Sequence, residues 1–279
     1  MNLSCFHQWV REKKKDTLVM GILNITPDSF SDGGKYEHVD KAVNFALQME
    51  AEGANIIDVG GESTRPGANP VSILEECNRV LPVIEGIKSK SEVLISIDTY
   101  KSDVARQSIK SGAEMVNDIS GMTFDSNMAK LISKTKLPVI LMHIKGTPKN
   151  MQENLEYDDL IKEVSGYLRD RVKYAKGNGI REWQIILDPG IGFGKRLDDN
   201  FRLLRELKVI EELGFPVLIG PSRKSFIGLT LNLPVDQRIE GTAAAVTAGI
   251  LNGARIVRVH DVKEIKQVVK ITDKIRGYA

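Results

Sequence analysis

The sequence predicts an α/β protein built as a single-domain (β/α)8 TIM barrel, with its active site at the C-terminal mouth of the strands. Eight short apolar runs rich in Val and Ile alternate with stretches of helical period. The length, 279 residues, suits the ~250 that such a barrel uses as one unit. The runs are LVMGIL (18–23), NIIDV (55–59), VLISID (93–98), EMVND (114–118), PVILMH (138–143), QIILD (184–188), PVLIG (216–220) and RIVRV (255–259). They are nearly continuous, as strands covered on both faces are.

Between the runs, apolar residues recur at spacings of three and four. Val39, Val43, Ala46 and Leu47 form one stripe, and Leu74, Cys77, Leu81 and Ile84 another. Leu160, Val164, Leu168 and Val172 form a third, and Phe201, Leu204, Leu207 and Ile210 a fourth. Gly53, Gly112, Gly214 and Gly253 each stand where such a stretch ends before the next run, the place for a left-handed helix stop. An open doubly wound sheet is the competing architecture. It usually has fewer strands, and a nucleotide-binding example would carry GxGxxG after its first strand, which is absent. No Pro/Gly/Ser-rich linker divides the chain, so 1–279 reads as one domain, with the barrel over about 17–276 and a solvated N-terminal arm over 1–16. Two α/β halves in contact are the alternative.

Composition narrows the function. The 39 basic and 37 acidic residues leave a net charge of +2, which argues against a nucleic-acid binder relying on a broad basic face. Two cysteines, Cys5 and Cys77, make no disulfide framework, and four histidines show no HExxH spacing. No run approaches the ~20 apolar residues needed to span a bilayer, and the N-terminus lacks a signal-peptide pattern. A cytoplasmic enzyme is expected.

The polar residues at the strand ends locate the chemistry. The runs lead in turn to Asn24, Asp58, Asp98, Asn117-Asp118, His143, Asp188, Ser222-Arg223-Lys224-Ser225, and Arg258 with His260. A barrel brings these ends to one mouth. Arg65, Lys224, Arg258 and His260 suit a multiply charged anion. Asp98 and Asp188 suit a donor-rich, guanidine-like edge. Asn24 and Asp32 offer hard oxygens for Mg²⁺. The implied substrate is a heterocycle bearing phosphate or diphosphate. Asp118 reads as a turn former, because Asn117 beside it points the other way, and His143 as a satisfied core or capping residue.

Two segments resemble phosphate loops. DPGIGFGK (188–195) fails the P-loop pattern at Pro189 and Arg196, and its glycines read as admitting a flat ligand beside Phe193. In GPSRKS (220–225), Ser222 is expected to cap a helix whose free N–H groups bind an anion. The long segments 24–34 and 60–70, with Phe30, Asp32, Thr64 and Arg65, read as lids.

MGILNITPDSFSDGG, ANIIDVGGESTRPGA, ISIDTYKSDVA, MVNDISG, ILMHIKGTP, ILDPGIGFGK, GPSRKSFIG and IVRVHDVKE together resemble the dihydropteroate synthase family of folate biosynthesis, in order and over residues 17–276. The family joins 6-hydroxymethyl-7,8-dihydropterin diphosphate to p-aminobenzoate. The resemblance implies a pterin slot of Asp98, Asn117, Met142, Asp188, Phe193, Lys224 and Arg258, with Asp188 on the amino-pyrimidine edge and Arg258 stacked on the ring. It implies diphosphate on Asn24, Thr64, Arg65, Arg258 and His260, and Mg²⁺ on Asn24 and Asp32. It places p-aminobenzoate among Phe30, Thr64, Pro66 and Phe193, its carboxylate near Ser225. Asp32, Asp98, Lys224 and Arg258 would carry a dissociative substitution. A monofunctional bacterial form, a homodimer and sensitivity to sulfonamides are further expectations. A pterin-dependent methyltransferase, a non-catalytic pterin-binding paralogue and a sugar-phosphate barrel enzyme are the rivals. The first has no need of the SRKS segment or the Arg258-His260 pair, the second should have lost loop residues, and the third lacks use for Asp188.

Overall fold

In the computed structural model residues 1–12, 16–25 and 35–277 are described. Their elements run α1 (Leu3–Arg11), β1 (Leu18–Asn24), α2 (Lys35–Ala51), β2 (Ile56–Gly60), α3 (Ile73–Lys88), β3 (Leu94–Asp98), α4 (Ser102–Lys110), β4 (Met115–Asp118), α5 (Asn127–Thr135) and β5 (Val139–Met142). There follow α6 (Leu160–Gly177), β6 (Ile185–Asp188), α7 (Leu197–Arg205), α8 (Lys208–Glu211), β7 (Val217–Ile219), α9 (Ser225–Leu231), α10 (Ile239–Leu251), β8 (Ala254–Val259) and α11 (Val262–Ile275). The eight strands are parallel and close in sequence order, β8 returning to β1. Each begins and ends within two residues of its apolar run.

A period of two along the strands sorts their side chains. Val19, Ile57, Ile95, Val116, Leu141, Leu187, Ile219 and Val257 face outward and share one buried cluster with the helices. Leu18, Met20, Ile56, Leu94, Met115, Ile140, Ile186, Leu218 and Ile256 form a second cluster inside the barrel. Two residues further along, the same inward phase reaches Asp58, Ser96, Asn117, Met142, Asp188 and Arg258. The barrel is therefore apolar at its N-terminal end and polar at its mouth, as layered filling by alternate residues produces.

The N-terminal segment is not a solvated arm over α1. Asn2 caps the helix by accepting the Cys5 N–H at 3.0 Å. Phe6 and Trp9, three residues apart and so on one face, are buried in the interior cluster with their rings 5.5 Å apart. Trp9 Nε1 donates to the Asp16 carbonyl at 2.8 Å, and Leu94 N–H bonds the Met1 carbonyl at 2.7 Å. The helix thus plugs the N-terminal end of the barrel. Cys5 stays exposed, and residues 13–15 of the basic run lie outside the described residues.

Two of the helical stripes also need correction. In α3 Leu74 is 71% exposed, and the buried face runs through Cys77, Val80, Val83, Ile84 and Ile87. The stripe from Phe201 crosses a break between α7 and α8: Leu204, Leu207 and Ile210 are buried, while Phe201 lies at the surface against Phe226. The four stop glycines all have positive φ, from 87° at Gly214 to 120° at Gly253.

Candidate active site

The polar layer is organised by one guanidinium. Arg258 donates from Nε to Asp58 Oδ2 at 2.6 Å and from Nη2 to Asp98 Oδ2 at 2.8 Å. The same Asp58 oxygen accepts Asn117 Nδ2 at 3.0 Å. Asn24, Gly60, Asp98 and Asn117 are register partners on successive strands, so they stand at one level of the wall. Asp58 Oδ1 and Asp98 Oδ1 are buried and find no hydrogen-bond partner among the described residues. Groups of that kind are costly unless something donates to them, and a ligand rich in N–H groups would do so.

Burial dominates the electrostatics. It pushes Asp98 up to about 7 against the pull of Arg258, with Asp58 adding to the rise. Asp188 is pushed up to about 6 by burial, opposed by the Gly190 N–H that it accepts at 2.7 Å and by Lys224. Burial lowers Lys224 to about 7, with Asp188 opposing the fall. Lys224 donates to the Ile191 carbonyl at 2.6 Å, and its Nζ stands 3.9 Å from the centre of the Phe193 ring. Facing these groups is an apolar wall of Ile119, Met142, Ile144 and Met151, with Tyr100 and Phe193 packed on it.

Toward solvent the mouth is cationic and loop-built. His260 Nδ1 lies 3.0 Å from Ser222 Oγ, which also accepts the His260 N–H at 3.2 Å. Burial first, then Arg258 and Arg223, with Arg65 contributing, pushes His260 down to about 4, so it is neutral at pH 7. Ser222 is therefore not the helix cap. Lys224 holds the N-cap position of α9 and Ser225 opens the helix, exposed. Arg223 is held in the left-handed region at φ 58° and pairs with Asp261, which turns Lys224 inward. Thr64 is half-buried, and Arg65 and Pro66 are exposed on the loop after β2. Phe30 and Asp32 lie outside the described residues.

The structure therefore gathers Asp98, Asn117, Asp188, Met142, Phe193, Lys224 and Arg258 around one space, with Asn24 and His260 at its rim. It ties Arg258 to carboxylates and Lys224 to the 188–195 loop. Asp118 faces outward and accepts from Ser120 and Met122, a turn role. His143, out of phase with Met142, is buried against Lys195, Nζ to Nδ1 3.0 Å, and against the edge of Tyr167. The glycines of 188–195 serve the chain's own packing. A Cβ on Gly190 would come 1.9 Å from the His143 carbonyl oxygen, and one on Gly194 2.6 Å from that of Lys145. Asp58 joins the residues gathered in the site, and its inward phase with Ile56 is the sequence signal that marks it.

Among the described residues no group of three His, Cys, Asp or Glu side chains is placed to hold a metal ion. Asn24 Oδ1 and the Asp98 carboxylate both lie beside Gly60 at that level of the wall, and a carboxamide oxygen is a hard donor of the kind a divalent cation takes. A cleft of about 930 Å³ opens at the opposite end of the barrel, by Trp183, Phe215 and Arg255. It lacks a converging set of buried charges, so chemistry rather than size locates the site.

These features define a barrel enzyme that takes a flat, donor-rich heterocycle with an anionic tail. The model of the family described as pterin binding enzyme matches residues 20–260. The dihydropteroate synthase of Bacillus subtilis is 50% identical over 260 residues, covering 93% of this chain and 89% of its own. That of Synechocystis is 49% identical over 262 residues, covering 94% and 91%. The Yersinia pestis dihydropteroate synthase solved with a sulfonamide drug superposes with a TM-score of 0.89 at 43% identity, covering 94% of this chain and 95% of that one. The Clostridium difficile enzyme solved with pteroic acid gives 0.89 at 44%, covering 95% and 98%. The chain belongs to the pterin binding enzyme family and, within it, to the dihydropteroate synthases. No described helix is long and apolar enough to cross a membrane.

Proposed function

We propose that this mouth condenses 6-hydroxymethyl-7,8-dihydropterin diphosphate with p-aminobenzoate, giving 7,8-dihydropteroate and diphosphate. The observation that carries the reading is the juxtaposition of Asp188, Asp98 and Asn117 with the Met142–Phe193 wall, in a layer crossed by Arg258 and Lys224. A slot with carboxylates on one side and an apolar wall on the other fits a pterin ring. Asp188 accepts from the amino-pyrimidine edge, and Asp98 and Asn117 engage other ring heteroatoms. Arg258, Arg65, Thr64, Asn24 and His260 receive the diphosphate. Phe30, Pro66 and Phe193 flank p-aminobenzoate, whose carboxylate meets the α9 N-terminus at Ser225.

The bond from the pterin methylene carbon to the diphosphate oxygen breaks with its electron pair leaving on oxygen. The carbon becomes a ring-stabilised cation, the arylamine nitrogen attacks it, and the amine then loses a proton. Arg258 and Lys224 stabilise the charge that grows on the departing group, and Asp98 and Asp32 stabilise the cation. Asn24 and Asp32 are the residues assigned to Mg²⁺, which when bound neutralises part of the diphosphate charge. The contrary reading, a pterin-binding methyltransferase or silent paralogue, is disfavoured by the His260–Ser222 pair and by the inward-turned Lys224.

We place the reaction in the cytoplasm, supported by the free state of both Cys5 and Cys77. A homodimer is supported by exposed Leu251, Ile271 and Ile275 near the joined ends of α10 and α11; sedimentation velocity at micromolar concentration checks it. The decisive experiment is diphosphate release from the pterin diphosphate. Release that needs both p-aminobenzoate and Mg²⁺, matched by dihydropteroate formed, is expected, with a sulfonamide competing against p-aminobenzoate. Pterin binding without release would move the function to a non-catalytic or methyl-transferring relative.

A further inference from the structure

Both ends of the loop between β2 and α3 are tied by the same two side chains. Glu62, near its start, accepts the Val71 N–H at 2.9 Å on Oε2 and the Tyr100 hydroxyl at 2.8 Å on Oε1. Lys101 Nζ donates to the Val71 carbonyl at 2.9 Å, to Glu76 Oε2 at 2.6 Å and to Glu62 Oε2. Arg79 Nη1 bonds the Gly61 carbonyl at 2.7 Å. Glu62 and Glu76 are 8% and 1% exposed, so this is a buried ionic knot at the foot of a surface loop. Buried ion pairs add little net stability over apolar packing, and their best-attested use is to specify one arrangement.

What the knot holds gives that arrangement a purpose. Between the tied ends stand Thr64, Arg65 and Pro66, and Gly67 N–H reaches across to the Pro148 carbonyl at 3.0 Å. Tyr100, which donates to Glu62, packs its ring on the apolar wall with Met142 and Phe193 and edge-on to Phe124 at 5.4 Å. The foot of the loop and the wall of the slot are thus linked through one hydroxyl.

We infer that Glu62 and Lys101 are positioning residues that hold the β2–α3 loop in register with the slot, so that Thr64 and Arg65 meet the diphosphate and Pro66 meets the arylamine. The inference rests on the function proposed above. Neither residue needs to touch substrate.

The test uses the full chain and the variants Lys101→Met, Lys101→Arg and Tyr100→Phe. Four quantities are measured: KM for p-aminobenzoate, Kd for inorganic diphosphate, Kd for 6-hydroxymethylpterin without diphosphate, and amide hydrogen exchange over residues 63–71. Lys101→Met should raise the first two by about tenfold, leave the pterin affinity within about twofold and speed exchange in the loop, and Lys101→Arg should restore most of the loss. Lys101→Met leaves two buried carboxylates without a counter-ion. Tyr100→Phe removes one hydrogen bond and no charge, so it carries the test if that variant does not fold, with a smaller change in the same direction. Unchanged loop exchange in both variants overturns the clamp. Faster exchange with unchanged KM, or a parallel loss of pterin affinity, overturns the positioning role. A wild type that releases no diphosphate overturns the functional reading instead, and loop exchange then still decides the clamp.

Discussion

Arg258 and Asp58 meet across β1, with Nε to Oδ2 at 2.6 Å, although 200 residues separate them in the chain. The strands that carry them flank β1, so the guanidinium crosses the barrel interior to reach its partner. Because the same carboxylate oxygen takes Asn117 Nδ2, Asp58 orients two groups of the slot together and leaves the Asn117 carbonyl to accept from a ligand.

Asp58→Asn should therefore weaken the fold and the slot together. Removing one carboxylate from a buried arginine costs ~3–5 kcal/mol when no partner remains. With Asp98 still in place the expected loss is about 2 kcal/mol. Urea unfolding measures it, and a change below about 0.5 kcal/mol would show that the pair is not structurally important. Pterin affinity should fall in the same variant.

The raised carboxylates and lowered lysine set a pH window. For Asp188, pushed up to about 6 by burial, the stabilising contribution to the free protein is fully present below the ordinary value of 3.8 and is lost as pH rises through about 6. Binding has the opposite dependence, because only the ionised carboxylate accepts two N–H groups. Lys224, lowered to about 7, attracts an anion below that pH and loses its charge above it. Affinity for the pterin diphosphate should pass through a maximum between about pH 6 and 7. Asp188→Asn should flatten the acid limb and Lys224→Arg the alkaline limb, as calorimetry from pH 5 to 9 would read. Lys224→Ala should weaken pterin diphosphate binding most below about pH 7, where the native side chain carries its charge.

The strands and the convergence of their ends were legible because parallel strands buried on both faces are nearly continuous apolar runs. The two-residue phase then carries the reading from Ile56 to Asp58 and from Ile256 to Arg258. Three things were not legible. The burial of Phe6 and Trp9 depends on the open N-terminal end of a closed barrel, which a local pattern does not reveal. The sequence offers Ser222 as a cap because Ser is a common capping residue, yet its hydroxyl pairs with His260, 38 residues away. The Glu62–Lys101 knot joins two loops whose charges read locally as ordinary surface charge.

Lys195 offers a prediction about the loop behind the slot. It is buried and lowered to about 7 by burial, and it bonds His143 Nδ1 at 3.0 Å and the Phe193 carbonyl at 2.9 Å. His143 is pushed down to about 2 by burial and then by Lys195, so it accepts as a neutral ring. Its lowered value means a stabilising contribution present above the ordinary 6.5 and lost progressively as pH falls toward 2. Lys195→Met should leave His143 neutral at pH 6, because burial is the larger cause, while loosening Phe193 and weakening pterin affinity by about tenfold. NMR titration of His143 and pterin calorimetry give the two readouts. A His143 that titrates near 6.5 in the wild type would refute the assigned pairing.

The N-terminal plug makes the last prediction. Phe6 is fully buried and Trp9 is 5% exposed, both against the inward residues at the starts of the strands. Truncating a buried aromatic to alanine costs ~3–5 kcal/mol. Phe6→Ala should therefore lower unfolding stability by about that much, although it stands at the end of the barrel opposite the slot. Trp9→Phe keeps most of the apolar contact but loses the 2.8 Å bond to the Asp16 carbonyl, and should cost about 1 kcal/mol. Because the plug and the mouth are separated by a full apolar layer, kcat/KM of the folded variants should stay within about twofold of wild type. A large loss of activity with unchanged stability would mean that α1 communicates with the mouth, and that the apolar layer between them does not isolate the two ends.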